Sequence, residues 1–304
     1  MRPVTTADAH IDHPRVLAEL SPRAREFRRF ARVFLGRPVV AFGLVVIVVF
    51  VVVALFAPWI APHDPNVVDV GNSMRAPSAA HLLGTDALGR DTLSRVVYGA
   101  RISLIIGVGV VFFASIVGGL LGLVAGFMGG WMRALIMRCT DALMAFPMIL
   151  LALILIALMG GGLGNLMIAL TISMLPVYIR LMCAQVLALK ESDYVTAARA
   201  AGARRSRIML RRILPNSFPP YIVLMTMMIG GAVLAEAGLS YLGLGISPPT
   251  ATWGNMVADG QQYLTSSPLL AFAPGLALML VVFAFNMVGD GLRDALDPRL
   301  RGTL

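Results

Sequence analysis

Five stretches of this chain hold no charged residue at all: 39–57, 102–132, 142–179, 213–235 and 269–289, of 19, 31, 38, 23 and 21 residues. About 20 apolar residues are needed to cross the hydrocarbon of a bilayer as a helix, so every one of these stretches is long enough. A soluble fold has no place to hide them. The composition agrees, with 58% hydrophobic and 13% charged residues, where soluble domains carry about 25% charged. The longest stretch would run about 57 Å as one helix, and Gly160, Gly161, Gly162, Leu163, Gly164 and Asn165 interrupt it, which reads as a helical hairpin. The expectation is an all-α integral membrane protein with six transmembrane helices. Pro219 and Pro220 suit the first turn of the fifth, and Pro268 stands just ahead of the sixth.

Lysine and arginine orient the spans. Assigned to alternate sides, 21 of the 25 fall with the segments before 39, at 133–138, at 180–212 and after 289, and 4 fall in 58–101. By the positive-inside rule both termini are cytoplasmic. The net charge of +9 therefore reads as topology and not as nucleic-acid binding. The first apolar run exceeds a signal-peptide core of about 7 to 15 residues and lacks an A-x-A site, so it is expected to stay as an anchor. The chain divides into a basic N-terminal segment 1–38, a membrane domain 39–288 and a tail 289–304. Within the membrane domain lie a periplasmic segment 58–101, a cytoplasmic loop 187–215 and a periplasmic loop 236–268. In 23–37, Phe27, Phe30, Val33 and Phe34 stand among six arginines, which fits a helix lying along the inner interface or a plain topogenic flank.

Several chemistries are excluded. The one lysine, Lys190, is not in a Gly-Lys-Ser/Thr context, so there is no phosphate loop. Cys139 and Cys183 make no framework. The four histidines, His10, His13, His63 and His81, lie outside the spans in no recognised motif, and no hydrolase signature occurs. No enzyme, cofactor or metal site is expected.

Other features carry function more softly. Gly118, Gly122, Gly126 and Gly130 repeat every four residues, as in close helix packing. Met144, Met148, Met225 and Met228, with Asn165 and Asn286, could line an adaptable pathway or merely fill space between helices. Asp86 with Arg90, and Asp91 with Arg95, are spaced as i,i+4 helix pairs. In the basic loop, Glu191, Ser192, Asp193, Tyr194, Val195, Thr196, Ala197, Ala198, Arg199, Ala200, Ala201 and Gly202 read as a capped two-turn helix with a glycine stop. Small side chains at Ala197, Ala198, Ala200 and Ala201 would let it seat in a groove of another protein. The spacing alone fits an ordinary basic loop equally well.

At this loop the residues resemble a family. Thr196-Ala197-Ala198-Arg199-Ala200-Ala201-Gly202, followed by Ile213-Leu214-Pro215, is similar to the Glu-Ala-Ala-x-x-x-Gly loop of bacterial ABC-importer permeases, with threonine in the place of the glutamate. Two further blocks, His81 to Asp91 with Tyr98-Gly99-Ala100-Arg101, and Glu236 to Ile246 with Pro248-Pro249 and Trp253-Gly254, resemble the C-type permease of dipeptide, oligopeptide and nickel importers. The tail Gly289-Asp290-Gly291-Leu292-Arg293-Asp294 continues the match, which spans about residues 35 to 300. The resemblance implies a type I importer permease fold in the bacterial inner membrane and half of a translocation pathway for peptides. Its ATPase-coupling residues would be Glu191, Ser192, Asp193, Tyr194, Thr196, Ala197, Ala198, Arg199, Ala201 and Gly202. It also implies a second permease subunit, two ATPase subunits that bind ATP and Mg, and a periplasmic or lipid-anchored substrate-binding protein; the paired charges of 58–101 read as structural, or with 236–268 as the floor on which that protein docks. A nickel chelate or a glutathione-like solute is the alternative cargo. From another class, an ion-coupled secondary transporter is disfavoured because no charge lies within the spans.

Overall fold

A computed structural model describes residues 34–296; residues 23–33 of the basic segment, with Phe27, Phe30 and Val33, lie outside them, as do His10 and His13. Among the described residues the elements are helical, and the one β feature is an isolated bridge between Thr85 and Asp91. Helix α1 is Pro38–Leu55, α2 Thr92–Met128, α3 Gly130–Met144, α4 Met148–Met159, α5 Leu163–Lys190, α6 Asp193–Ala200, α7 Leu214–Tyr241, α8 Trp253–Gly260 and α9 Leu269–Leu296. Five helical stretches are long and apolar enough to cross a bilayer: α1, α2, α5, the run Arg205–Tyr241 that includes α7, and α9. The pair α3 and α4 meets the test jointly, and makes a sixth span if counted as one.

The expected hairpin is formed by α4 and α5, which turn at residues 160–162, but its first arm is shorter than the uncharged stretch because α3 and α4 part at a bend. The two helices are bent by 89°, and the break falls at Pro147, held at φ −54° and ψ 137°. Proline has no N–H to continue the ladder and pushes its neighbour out of helical backbone. Helix α4 alone is 12 residues, about 18 Å, short of the roughly 30 Å of hydrocarbon. Helix α3 carries Arg133, Arg138 and Asp141, and Asp141 pairs with Arg180 of α5.

The charge-free stretches also understate the helices. Helix α2 starts ten residues before the uncharged run, where the Asp91 side chain accepts from the Ser94 N–H at the N-cap. It stops at Gly129, whose φ of +70° favours glycine. The fifth span is not opened by Pro219 and Pro220: they sit inside α7, which is preceded by a turn Arg205–Ile208 and a π-helical segment Met209–Ile213. Pro215 removes the i+4 donor for the Arg211 carbonyl, which suits a π-helical segment there.

The core is the α2–α5 seam, where Ile106, Val110 and Ala114 meet Leu166, Leu170, Met174, Tyr178 and Met182. Glycine makes it close. A Cβ on Gly118 would stand 2.6 Å from the Tyr178 Cβ, one on Gly122 2.5 Å from the Ile179 carbonyl oxygen, and one on Gly126 2.7 Å from the Val186 Cβ. Gly130 is a correction: it lies past the break at Gly129, with φ +54° and no atom near its missing Cβ, so it takes no part in the seam. A second cluster joins Ala54 of α1, Ala100, Val233, Trp253, Val281 and Phe285. Phe42, Val45, Val49 and Val52 of α1, and Ile105, Phe112, Ile116 and Leu120 of α2, are exposed, as residues facing lipid are.

Basic segments collect at one end of this bundle. Arg37 is paired with Asp294 of α9, Arg180 with Asp141 at 2.6 Å, and the Lys190 ammonium donates to the Phe127 carbonyl at 3.2 Å. The last contact places the one lysine on the free carbonyls ending α2, where a cation is favoured. Segment 56–91, α8 and their neighbours form the opposite end.

Candidate functional site

The basic end carries the short helix α6. Ser192 stands at its N-cap in extended backbone, with Asp193 in the first turn. At its other end Gly202, at φ +76°, donates to the Arg199 carbonyl at 2.9 Å, and Ala203 donates to Ala198 at 3.0 Å. This is the paired bonding by which a left-handed residue closes a helix. The helix is anchored by one fully buried side chain, Val195, in the same core as Ile208 and Ile213. Asn216 Nδ2 donates to the Tyr194 hydroxyl at 3.4 Å, tying α6 to the first turn of α7.

Its other face is free. Glu191, Asp193, Tyr194, Thr196, Ala197, Arg199, Ala200, Ala201 and Gly202 are exposed. Ala198 differs from the expectation that all four alanines point outward: it is half-buried and leans on the chain's own core. Beside it opens a concave surface of about 910 Å³, lined by Ala201, Gly202, Arg204, Arg207, Arg211 and Arg212. A knob of small side chains beside a basic hollow can grip another protein.

The opposite end is densely hydrogen-bonded. Asp86 pairs with Arg90 Nε at 2.7 Å, although these residues form a turn and not a helix. Asp91 does not pair with Arg95, contrary to the i,i+4 spacing. Its Oδ2 accepts from the Ser94 N–H and hydroxyl at 2.8 and 2.7 Å, and its Oδ1 lies 2.9 Å from His81 Nδ1. Burial pushes the Asp91 carboxyl up, but the bonds from Ser94 and His81, with His63 close by, more than reverse this and hold it below the usual carboxylate range. Arg95 turns instead to the carbonyls of Pro65 and Pro249, at 3.0 and 3.4 Å, and to Asp86 at 3.6 Å. It thereby ties 58–101 to 236–268. A cleft of about 300 Å³ lies where these segments meet, lined in part by Asp86, Arg90, Arg95, Asp259 and Tyr263. Trp253, fully buried, donates to the Val96 carbonyl at 2.9 Å and meets Phe50 edge-on at 5.4 Å.

Sequence reasoning missed two groupings here. Helix α7 runs on past the uncharged stretch and encloses Glu236, which is fully buried. Its Oε1 accepts from the Ser240 hydroxyl at 2.7 Å, and its Oε2 lies 3.5 Å from the Ser103 hydroxyl. The Glu236→Gln variant is expected to fold and insert normally, because the amide oxygen still accepts from Ser240. Glu236→Ala leaves a void and unpaired hydroxyls, and should cost about 2–4 kcal/mol, read as a lowered thermal midpoint in detergent. The second grouping is His63, His81 and Asp91, joined across 28 residues without a motif spacing.

Of the six pathway candidates, five are half-buried and Met144 is exposed. Met148, Met225 and Met228 rest against the core. Asn165 donates to the Met159 and Gly160 carbonyls, closing α4, and Asn286 donates to Val282 one turn back in its own helix. Met144 is exposed at the bent end of α3.

The bundle of apolar spans thus ends, on its basic side, in a short helix held beside a basic hollow. The chain matches, over residues 118–302, the family described as binding-protein-dependent transport system inner membrane component. Residues 26–77 match the N-terminal TM domain of oligopeptide transport permease C. It is 44% identical to the dipeptide transport system permease protein DppC of Alkalihalophilus pseudofirmus, over 85% of each chain. It is 46% identical to the di/tripeptide transport system permease protein DppC of Pseudomonas aeruginosa, over 85% of this chain and 88% of that one. It is 44% identical to the glutathione transport system permease protein GsiD of Escherichia coli, over 91% and 90%. The MetNI methionine ABC transporter in an inward-facing conformation shares the fold, with a TM-score of 0.53 at 20% identity, over 67% of this chain and 96% of that one. The chain belongs to the inner-membrane components of binding-protein-dependent transport systems, as a multi-pass permease of the ABC-importer type.

Proposed function

We propose that this permease forms half of the pathway by which an ATP-driven importer carries di- and oligopeptides inward, and that α6 is where the driving force enters. The observation carrying the mechanical part is the geometry of α6: an outer face of small and polar side chains, exposed, on a helix rooted by Val195 among Ile208 and Ile213. A push on the exposed face therefore passes into α5 and α7, and not into a slack loop. With positive charge on the cytoplasmic side, this end faces the cell interior, where two ATPase subunits bind ATP and Mg and supply the hydrolysis. The chain itself performs no catalysis. A second permease completes the pathway, and the end built from 58–101 and 236–268 receives the substrate-binding protein.

Function requires two packings of the bundle close in free energy, biased through α6. Peptide is the cargo favoured by the names of the relatives, two for dipeptides or tripeptides and one for glutathione, which is itself a tripeptide thiol. Glu236 is held by its own chain's hydroxyls, an arrangement suited to structure more than to ion coupling. The test is uptake of labelled dipeptides, tripeptides and glutathione by proteoliposomes holding both permeases, the ATPases and the binding protein. Uptake is expected to require ATP and every partner. Ion-gradient-driven uptake by this chain alone would overturn the reading.

A further inference from the structure

One cluster at the 58–101 end is not used by transport as described. His63 follows α1, His81 lies in the intervening turns, and Asp91 caps α2. The Nδ1 of His81 is 2.9 Å and that of His63 3.8 Å from the same oxygen, Asp91 Oδ1. One donor atom from each residue lies within 4.8 Å of the others, and the two rings face each other with centroids 4.7 Å apart. Around a tetrahedral ion with bonds of about 2.0–2.2 Å, ligand atoms sit about 3.3–3.6 Å from one another. The two distances to Oδ1 straddle that value and the remaining pair of donors lies within 4.8 Å, so the two rings would turn inward to share one ion.

A second layer of bonds fixes the cluster. Ser94, fully buried, donates its hydroxyl to Asp91 Oδ2 at 2.7 Å and accepts from the His63 backbone N–H at 3.0 Å. One serine thus sets both the carboxylate and the segment carrying His63, as outer partners do for metal ligands. A His81–Asp91 hydrogen bond would explain His81 alone; it does not explain a second imidazole held over the same oxygen. Asp91 is 1% exposed in its side chain, while His81 at 17% and His63 at 43% open onto a cleft of about 400 Å³ that Asp64 and Asp69 also line. Carboxylates around the mouth favour entry of a cation.

We infer that His63, His81 and Asp91 form a three-ligand site for a divalent transition metal of the zinc type, with the fourth position open to this cleft. Two imidazoles and one carboxylate suit zinc, cobalt, nickel or copper, and suit calcium or magnesium poorly. A bound ion would clamp the 61–69 stretch onto the N-terminus of α2.

The site is tested on the full chain, purified with its partner permease in detergent through an affinity tag without histidine, stripped with EDTA and titrated with zinc chloride. Bound zinc measured by mass spectrometry is expected to reach one equivalent per chain. The solvent-facing His63→Ala variant should weaken binding at least tenfold, and the double variant His63→Ala/His81→Ala should abolish it. Cobalt loaded in place of zinc should give the visible absorption of a tetrahedral ion in the wild type and not in His63→Ala. Zinc uptake by the wild type equal to that of the double variant, or no uptake by the wild type, overturns the inference. Peptide uptake need not change for the site to stand, so its failure is separable from failure of the transport reading.

Discussion

A carboxylate placed on the free face of α6, in Ala197→Asp or Ala201→Asp, is expected to reduce ATP-driven peptide uptake at least tenfold while the permease still inserts and accumulates normally. Both positions are exposed, so in the chain itself the new charge stays in water and costs little. In the assembly it is forced into a packed protein contact, where an unpaired carboxylate is strongly unfavourable. A tenfold loss corresponds to about 1.4 kcal/mol, a modest demand on a buried charge. The same substitution at Ala198 is a poorer probe, since Ala198 leans on Val195 and its neighbours in its own core, and aspartate there would disturb the fold as well. The measurement is co-purification of the ATPase subunits alongside uptake. Wild-type levels of both in Ala197→Asp would remove α6 from the contact.

The second large effect is on stability. Gly122→Leu is expected to cost about 3 kcal/mol or more and to lower both the thermal midpoint and the monodisperse fraction in detergent. Its Cβ would lie 2.5 Å from the Ile179 carbonyl oxygen and 2.7 Å from the Met182 Cβ. The first of these is backbone and cannot swing aside, so α2 and α5 must separate along the core seam. Gly231→Ala is the control. No atom lies within 4 Å of its missing Cβ, and alanine in a helix interior is expected to be neutral or stabilising by up to about 1 kcal/mol.

These two sites show what was legible in the sequence. The spans, the α2 glycine face and the α6 helix are local, written in hydropathy, a four-residue repeat and a capped alanine run, and they needed no knowledge of the rest of the chain. What escaped was set by partners distant in sequence. Asp91 and Arg95 have the spacing of a helical pair, yet Asp91 is consumed as an N-cap and Arg95 is drawn to Pro65 and Pro249. Gly130 keeps the glycine rhythm but falls beyond a helix that Gly129 has ended. The bend at Pro147 was masked by the apolar character on its C-terminal side. Glu236 was counted as a loop boundary because a charge ends an uncharged run, whereas two serines let the helix carry it buried. His63 and His81 meet only through the fold of the segment between α1 and α2.

The most direct test places a photo-crosslinking amino acid at Thr196, exposed on the outer face of α6, in the assembled importer. Irradiation is expected to join this chain to an ATPase subunit in high yield, with the yield changing when ATP is bound and hydrolysed. Crosslinks to lipid alone, or a yield to the ATPase no greater than from an exposed position at the opposite end such as Val67, would contradict the claim that transport is driven through this helix.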